Sequence, residues 1–157
     1  MKITSPAFKH GEEIPTLYTC EGSDISPPLV WSDVPPEAKS LVLIVDDPDA
    51  PDPGAPKMVW IHWVLYNLDP TSTGVKENVT GLEVPTGTEY GTNSWNKDGY
   101  GGPCPPIGRH RYFFKLYALS IKIGSLEDPT IDMVKQAMED HIITEATLMG
   151  TYQKKKK

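Results

Sequence analysis

No apolar run in this 157-residue sequence approaches the roughly 20 residues needed to span a bilayer. The opening stretch Met1-Lys2-Ile3-Thr4-Ser5-Pro6 has no signal-peptide apolar segment, so a cytoplasmic protein is expected. Cysteine is scarce: only Cys20 and Cys104 occur, without CxxC spacing, which excludes a cysteine zinc site for want of ligands. Reduced thiols are the default for a cytosolic mesophile, and a disulfide is the alternative for a hyperthermophile. Positive charge is also short, with 15 basic against 21 acidic residues and a formal charge of -6. Tight non-specific binding to nucleic acid is therefore excluded, because phosphate neutralisation needs a basic surface. The one basic cluster, Lys154 to Lys157, reads as a frayed, solvated tail (153–157) after a single domain spanning 1–152. There is no Gly-x-Ser-x-Gly, and Cys104 is wedged between prolines without a helix start beside it. No activated nucleophile is supplied, and no enzyme activity is expected.

Proline and glycine, by contrast, are plentiful, at 16 and 13 residues. Both interrupt regular elements, which favours a loop-rich β architecture over a helical bundle. Strands are expected at Lys2-Ile3-Thr4, at Leu29-Val30-Trp31 and over Met58 to Asn67 and His110 to Ser120. Leu41-Val42-Leu43-Ile44-Val45 is apolar at every position, as a strand covered on both faces would be. It is expected to stop at Asp46-Asp47-Pro48, where proline withdraws a ladder donor. Pro70 to Pro106 reads mainly as loop, with a short strand near Gly87 to Gly91. From Thr130 a helix is expected, capped by Thr130 and showing Ile131, Val134, Met138 and Ile142 on one face. A second short helix is expected over Thr144 to Met149, ending at Gly150. The class is mostly β: a central antiparallel sheet or two packed sheets, with short peripheral C-terminal helices.

Polar residues gather where apolar strands meet Gly/Pro-rich loops. Asp47-Pro48-Asp49-Ala50-Pro51 follows one strand, His62 interrupts the apolar run Met58 to Tyr66, and Gly108-Arg109-His110-Arg111-Tyr112 opens another. A carboxylate beside an imidazole favours the protonated ring, so two Asp–His pairs would present N–H donors to an anion. The glycines of Tyr100-Gly101-Gly102-Pro103 would let backbone N–H groups approach it. Tyr112, two residues beyond His110, shares its strand face and would add a hydroxyl. Each residue has a plainer reading. His62 fits a core histidine bonded to backbone, and Asp-Pro-Asp often just makes a turn. Arg111 should point away from the Tyr112 face and bond a loop carboxylate, while His10 and His141 fit structural or surface roles. A hydrolase using His62 or His110 as general base, oriented by Asp47, is the alternative function.

These blocks resemble the signatures of the phosphatidylethanolamine-binding proteins, also called the Raf kinase inhibitor family. Ser26-Pro27-Pro28-Leu29-Val30-Trp31 and Tyr100-Gly101-Gly102-Pro103-Cys104-Pro105-Pro106 are similar to its prokaryotic branch. The resemblance, running from about Ser5 to Tyr152, implies a central antiparallel sheet, a smaller second sheet and C-terminal helix. It also implies a pocket for phosphate or a phospholipid headgroup, lined by Asp47, Asp49, His62, Gly102, Pro103, His110 and Tyr112. No metal or cofactor is implied. A cis peptide at Ala50-Pro51 and a kinase or protease partner are. Ile61 stands where many eukaryotic members have a second histidine, lowering the donor count expected beside the pocket. The longer terminal helix of eukaryotic members is missing, which leaves apolar surface near the mouth and suggests a homodimer.

Overall fold

A computed structural model describes residues 1–155. Its larger sheet is antiparallel and is built on β3 (Ser40–Ala50), β4 (Met58–Leu68), β7 (His110–Leu119) and β8 (Ile142–Tyr152), with the short β6 (Glu89–Tyr90) at one edge. The strand order is β6-β4-β3-β7-β8. A smaller sheet orders β1 (Lys2–Thr4), β2 (Leu29–Ser32) and β5 (Gly74–Val75) as β1-β2-β5. Residues 156 and 157 of the lysine tail lie outside the described part. Among the described residues no helix is long and apolar enough to cross a membrane.

The all-apolar segment of β3 serves two cores. Leu41, Leu43 and Val45 pack with Trp31, Trp63 and Phe114 between the sheets. Val42 and Ile44 face the other way, against Val64, Tyr66 and the helix residues Val134 and Met138. Along β7 the alternation is strict: His110, Tyr112, Phe114, Leu116 and Ala118 are buried on the inter-sheet face. Arg111 points outward and is exposed, and Phe113, Lys115 and Tyr117 point the same way with partial exposure. This period-2 pattern places His110 and Tyr112 at the end of the same core that carries Val45 and Trp63.

Several expectations are corrected. β3 does not stop at Asp46 but runs on to Ala50. Its pairing with β7 ends at Asp46, and Pro48 falls inside a register shift against β4, so its missing N–H breaks no ladder bond there. Among the described residues one α-helix forms, α1 (Ile131–Met138), with Thr130 accepting from the Met133 N–H at 3.2 Å and Val134 and Met138 buried. Burying these two side chains contributes about 1.5–3 kcal/mol each. Ile142 belongs not to the helix but to β8, and the second helix expected over Thr144 to Met149 is the middle of that strand. Pairing with β7 from His110↔Tyr152 to Leu119↔Ile142 overrides the local helical reading of Ala146-Thr147-Leu148-Met149. Gly150 is no helix stop: a Cβ there would collide with Ile14 and Phe8. The short β5 arises inside the stretch read as loop, pairing with β2.

The cysteines are not reduced thiols. Cys20 and Cys104 form a disulfide across a Cα–Cα distance of 5.4 Å, where the Cys20 N–H also donates to the Pro103 carbonyl at 3.1 Å. The tail is not frayed as far as Lys155, whose Nζ pairs with Glu13 at 2.9 Å and whose N–H donates to Glu21 at 2.8 Å.

Candidate functional site

Three neighbouring strands, β4, β3 and β7, deliver one polar side chain or more to a single cavity of about 380 Å³. Asp47, His62, His110 and Tyr112 all line it. The position of His62 comes from a bulge. Val45 pairs with Trp63 and the next residue, Asp46, pairs with Ile61, so His62 is the extra residue of β4. A bulge of this kind re-aims a side chain that simple alternation would not place there. Ile61 is then turned to the opposite core, so its identity does not alter the donors beside the cavity.

Gly101 holds His62 from both ends. Its N–H donates to the His62 carbonyl at 3.0 Å, and its carbonyl lies 2.7 Å from His62 Nδ1. A carbonyl can only accept, so the ring hydrogen sits on Nδ1. Glycine is required at 101 because a Cβ would run into the Trp95 ring. Burial pushes the His62 pKa down to about 4, and the nearby His110 pushes the same way. The ring is neutral at pH 7, and its Nε2 is buried without a hydrogen-bond partner beside the cavity that the residue lines.

His110 stands differently. Its Nδ1 lies 2.6 Å from Asp47 Oδ2, and its Nε2 lies 2.9 Å from the Ile107 carbonyl and 3.1 Å from the Pro51 carbonyl. Both ring nitrogens therefore face acceptors, and neither offers an N–H to the cavity. Burial raises the pKa of Asp47, with His110 and the Asp49 N–H opposing that rise; the latter donates to Oδ1 at 2.7 Å. The Tyr112 ring meets His62 edge-on, centroids 5.2 Å apart, and stacks on His110 at 6.3 Å. Its hydroxyl is buried without a hydrogen bond of sound geometry, although Asp47 is near enough to disfavour ionisation. Burial is the larger cause, and the group stays protonated.

The walls above these groups are Met58, Trp60, Trp95, Pro105, Pro106 and the disulfide-bonded Cys104. Among the described residues no lysine or arginine lines the cavity. Among the described residues no group of three or more His, Cys, Asp or Glu side chains is arranged to hold a metal ion.

A sequence model of the family described as phosphatidylethanolamine-binding protein matches residues 4–153. This chain belongs to the phosphatidylethanolamine-binding protein family. It is 48% identical over 155 residues to a UPF0098 protein of Methanothermobacter thermautotrophicus, covering 98% of this chain and 99% of that one. The crystal structure of a phosphatidylethanolamine-binding protein homologue from Chlamydia trachomatis matches with a TM-score of 0.89 at 46% identity, covering 98% of this chain and 97% of that chain. Escherichia coli YbcL, described as a new member of the mammalian PEBP family, matches with a TM-score of 0.87 at 34% identity over 98% of both chains.

In this phosphatidylethanolamine-binding protein family member, not every residue expected at the site reaches the cavity. The Ala50-Pro51 peptide is cis, and both residues line the mouth. Asp49 turns to the outer side, where its carboxylate grips Arg111 through the backbone N–H, Nε and Nη2, each at 2.9 Å. Arg111 accordingly lowers the Asp49 pKa. The expectation of two Asp–His pairs is thus met once, by Asp47 and His110, while His62 has no carboxylate. Gly102 and Pro103 stand behind the wall: the Gly102 N–H donates to Asp24 Oδ1 at 2.8 Å and the Pro103 carbonyl accepts from Cys20. The backbone N–H groups expected to greet an anion are already used. Arg109 is likewise drawn off, to Glu13 at 3.3 Å and Thr151 at 3.1 Å.

Trp60, Trp95 and Cys104 were not foreseen as pocket residues. Trp95 is 39% exposed and packs edge-on against both Trp60 and His62. Buried Asn93 builds its loop, accepting from the Trp95 and Lys97 N–H groups and donating to the Gly99 carbonyl. The available signal was a tryptophan inside the polar run Gly91-Thr92-Asn93-Ser94-Trp95-Asn96.

Proposed function

We propose that this protein binds a phosphate-sized oxyanionic group in the cavity of Asp47, His62, His110 and Tyr112, without turning it over. The observation that carries this reading is the pair of buried atoms without a hydrogen bond of sound geometry, His62 Nε2 and the Tyr112 hydroxyl, on two residues that line one cavity. Leaving a buried polar group unsatisfied costs about 1–3 kcal/mol. A ligand that bonds both recovers that cost, and the packing of Tyr112, stacked on His110 and edge-on to His62, holds the two atoms ready for it. Family membership supports the same reading, since the site residues expected from the resemblance include all four.

The hydrolytic alternative needs a basic ring nitrogen that is both free and oriented by a carboxylate. His110 has Asp47 but turns Nε2 toward two carbonyls, whereas His62 keeps a free Nε2 but has no carboxylate behind it, and burial makes it a weak base. An inhibitor role toward a kinase or protease rests on the resemblance and on no residue of this chain, and is therefore not developed. Calorimetric titration with phenyl phosphate tests the binding reading. Saturable binding lost in His62→Ala but kept in an outer-face variant such as Thr147→Ala is expected. No heat at millimolar phenyl phosphate from pH 5.5 to 8, with a folded protein, refutes it.

A further inference from the structure

Resting on the binding reading above, we infer that the cavity selects the hydrogen-bearing form of its ligand. That form is a phosphate monoester as its monoanion, whose P–OH donates to His62 Nε2 while another oxygen accepts from the Tyr112 hydroxyl. The His62 tautomer decides this. With Nδ1 2.7 Å from the Gly101 carbonyl, the hydrogen must sit on Nδ1, and Nε2 carries a lone pair. A deprotonated oxyanion at that point would meet lone pair against lone pair.

The rest of the cavity does not compensate. Gly101 N–H is spent on the His62 carbonyl and Gly102 N–H on Asp24. On β7, His110 Nε2 is directed at the Pro51 and Ile107 carbonyls, and Tyr112 contributes one hydroxyl. On β3, Asp47 is committed to His110 and the Asp49 N–H, and its charge opposes a second negative one. Among the described residues no lysine or arginine lines the wall, and both arginines are held outside by Asp49 and Glu13. A dianion or a proton-free monoanion thus finds one good donor. A monoanionic monoester supplies the missing hydrogen itself and satisfies both orphan atoms. Protonating His62 instead is opposed by its burial at 3% exposure and by His110 across the cavity.

Phosphodiesters, including those that link lipid headgroups, lack the P–OH, as do sulfate esters. Three probes of similar shape therefore separate the cases: phenyl phosphate, phenyl sulfate and methyl phenyl phosphate, titrated calorimetrically from pH 5.5 to 8. Phenyl phosphate should bind at least tenfold tighter than the other two at pH 5.5. Its affinity should fall about tenfold per pH unit above its second pKa near 6, as the monoanion is depleted. Nitrogen shifts of His62 in the phenyl phosphate complex should still report hydrogen on Nδ1 alone. Equal binding of all three probes, or a ring doubly protonated in the complex, overturns the inference and leaves the oxyanion reading standing. Failure of all three to bind removes that reading and the inference with it.

Discussion

Replacing Tyr112 by Phe should move stability and binding in opposite directions. The hydroxyl is buried and has no hydrogen bond of sound geometry, although Asp47 lies near it, while the ring packs against His62 and His110. Phe keeps the ring and deletes only the orphan oxygen. An unsatisfied buried hydroxyl costs about 1–3 kcal/mol, so the ligand-free variant should be as stable as the parent or up to about 1 kcal/mol more stable. For a chain of this size that is a rise in Tm of up to about 2–4 °C. Phenyl phosphate, however, would lose a hydrogen bond to a charged oxygen, worth about 1.5–3 kcal/mol. Affinity should fall roughly tenfold to a hundredfold. Thermal unfolding without ligand and calorimetry with it give the two numbers on one sample. A Tm lowered by several degrees would mean that the hydroxyl has a partner in the free protein. Unchanged affinity would mean that it does not touch the ligand.

Three further perturbations follow from the described contacts. Arg111 depresses the Asp49 pKa, so this carboxylate adds stability above its unfolded pKa near 3.9 and loses it as pH falls through the lower folded value. Asp49→Asn should lower Tm at pH 7, and the gap to the parent should narrow as pH falls below the unfolded pKa; a gap that stays constant on acidification would contradict the pairing. His62 acts in the same direction: with its folded pKa near 4 against 6.5 unfolded, stability should drop by up to about 3 kcal/mol as pH falls between those values. His62→Gln should flatten that part of the Tm–pH curve, and an unaltered slope would count against a buried neutral ring. Reducing the Cys20–Cys104 bridge, which closes a separation of 84 residues, should cost about 2–4 kcal/mol in thermal or denaturant unfolding. Identical melts with and without reductant, with thiol content confirmed by mass, would remove that contribution.

What sequence made legible was mostly alternation. His110 and Tyr112 could be placed on one face of a strand because β7 keeps a strict period of two to Ala118. Asp47 was legible as a strand-end carboxylate, and Arg111 as a side chain pointing the other way to a carboxylate. Illegible were the features set by long-range pairing. The segment Ile142 to Tyr152 has helix-compatible residues in its middle, and only its ladder with β7 makes it a strand. Asp49 looked equivalent to Asp47, because the register shift near Pro48 that separates their directions leaves no local mark. The bulge at His62 is also a relation between two strands, and it decides which way the imidazole points. Its tautomer depends on a carbonyl 39 residues away, at Gly101. For that reason protonated, donating histidines were expected where the structure has one neutral ring and one that is fully occupied.

A crystal structure of the protein soaked with phenyl phosphate at pH 5.5 tests the central claim most directly. Phosphorus should lie in the cavity, with phosphate oxygens about 2.5–3.2 Å from both His62 Nε2 and the Tyr112 hydroxyl. The His110–Asp47 contact should be unchanged. Phosphate bound in the cavity but touching neither atom, or bound only elsewhere on the surface, would contradict the account.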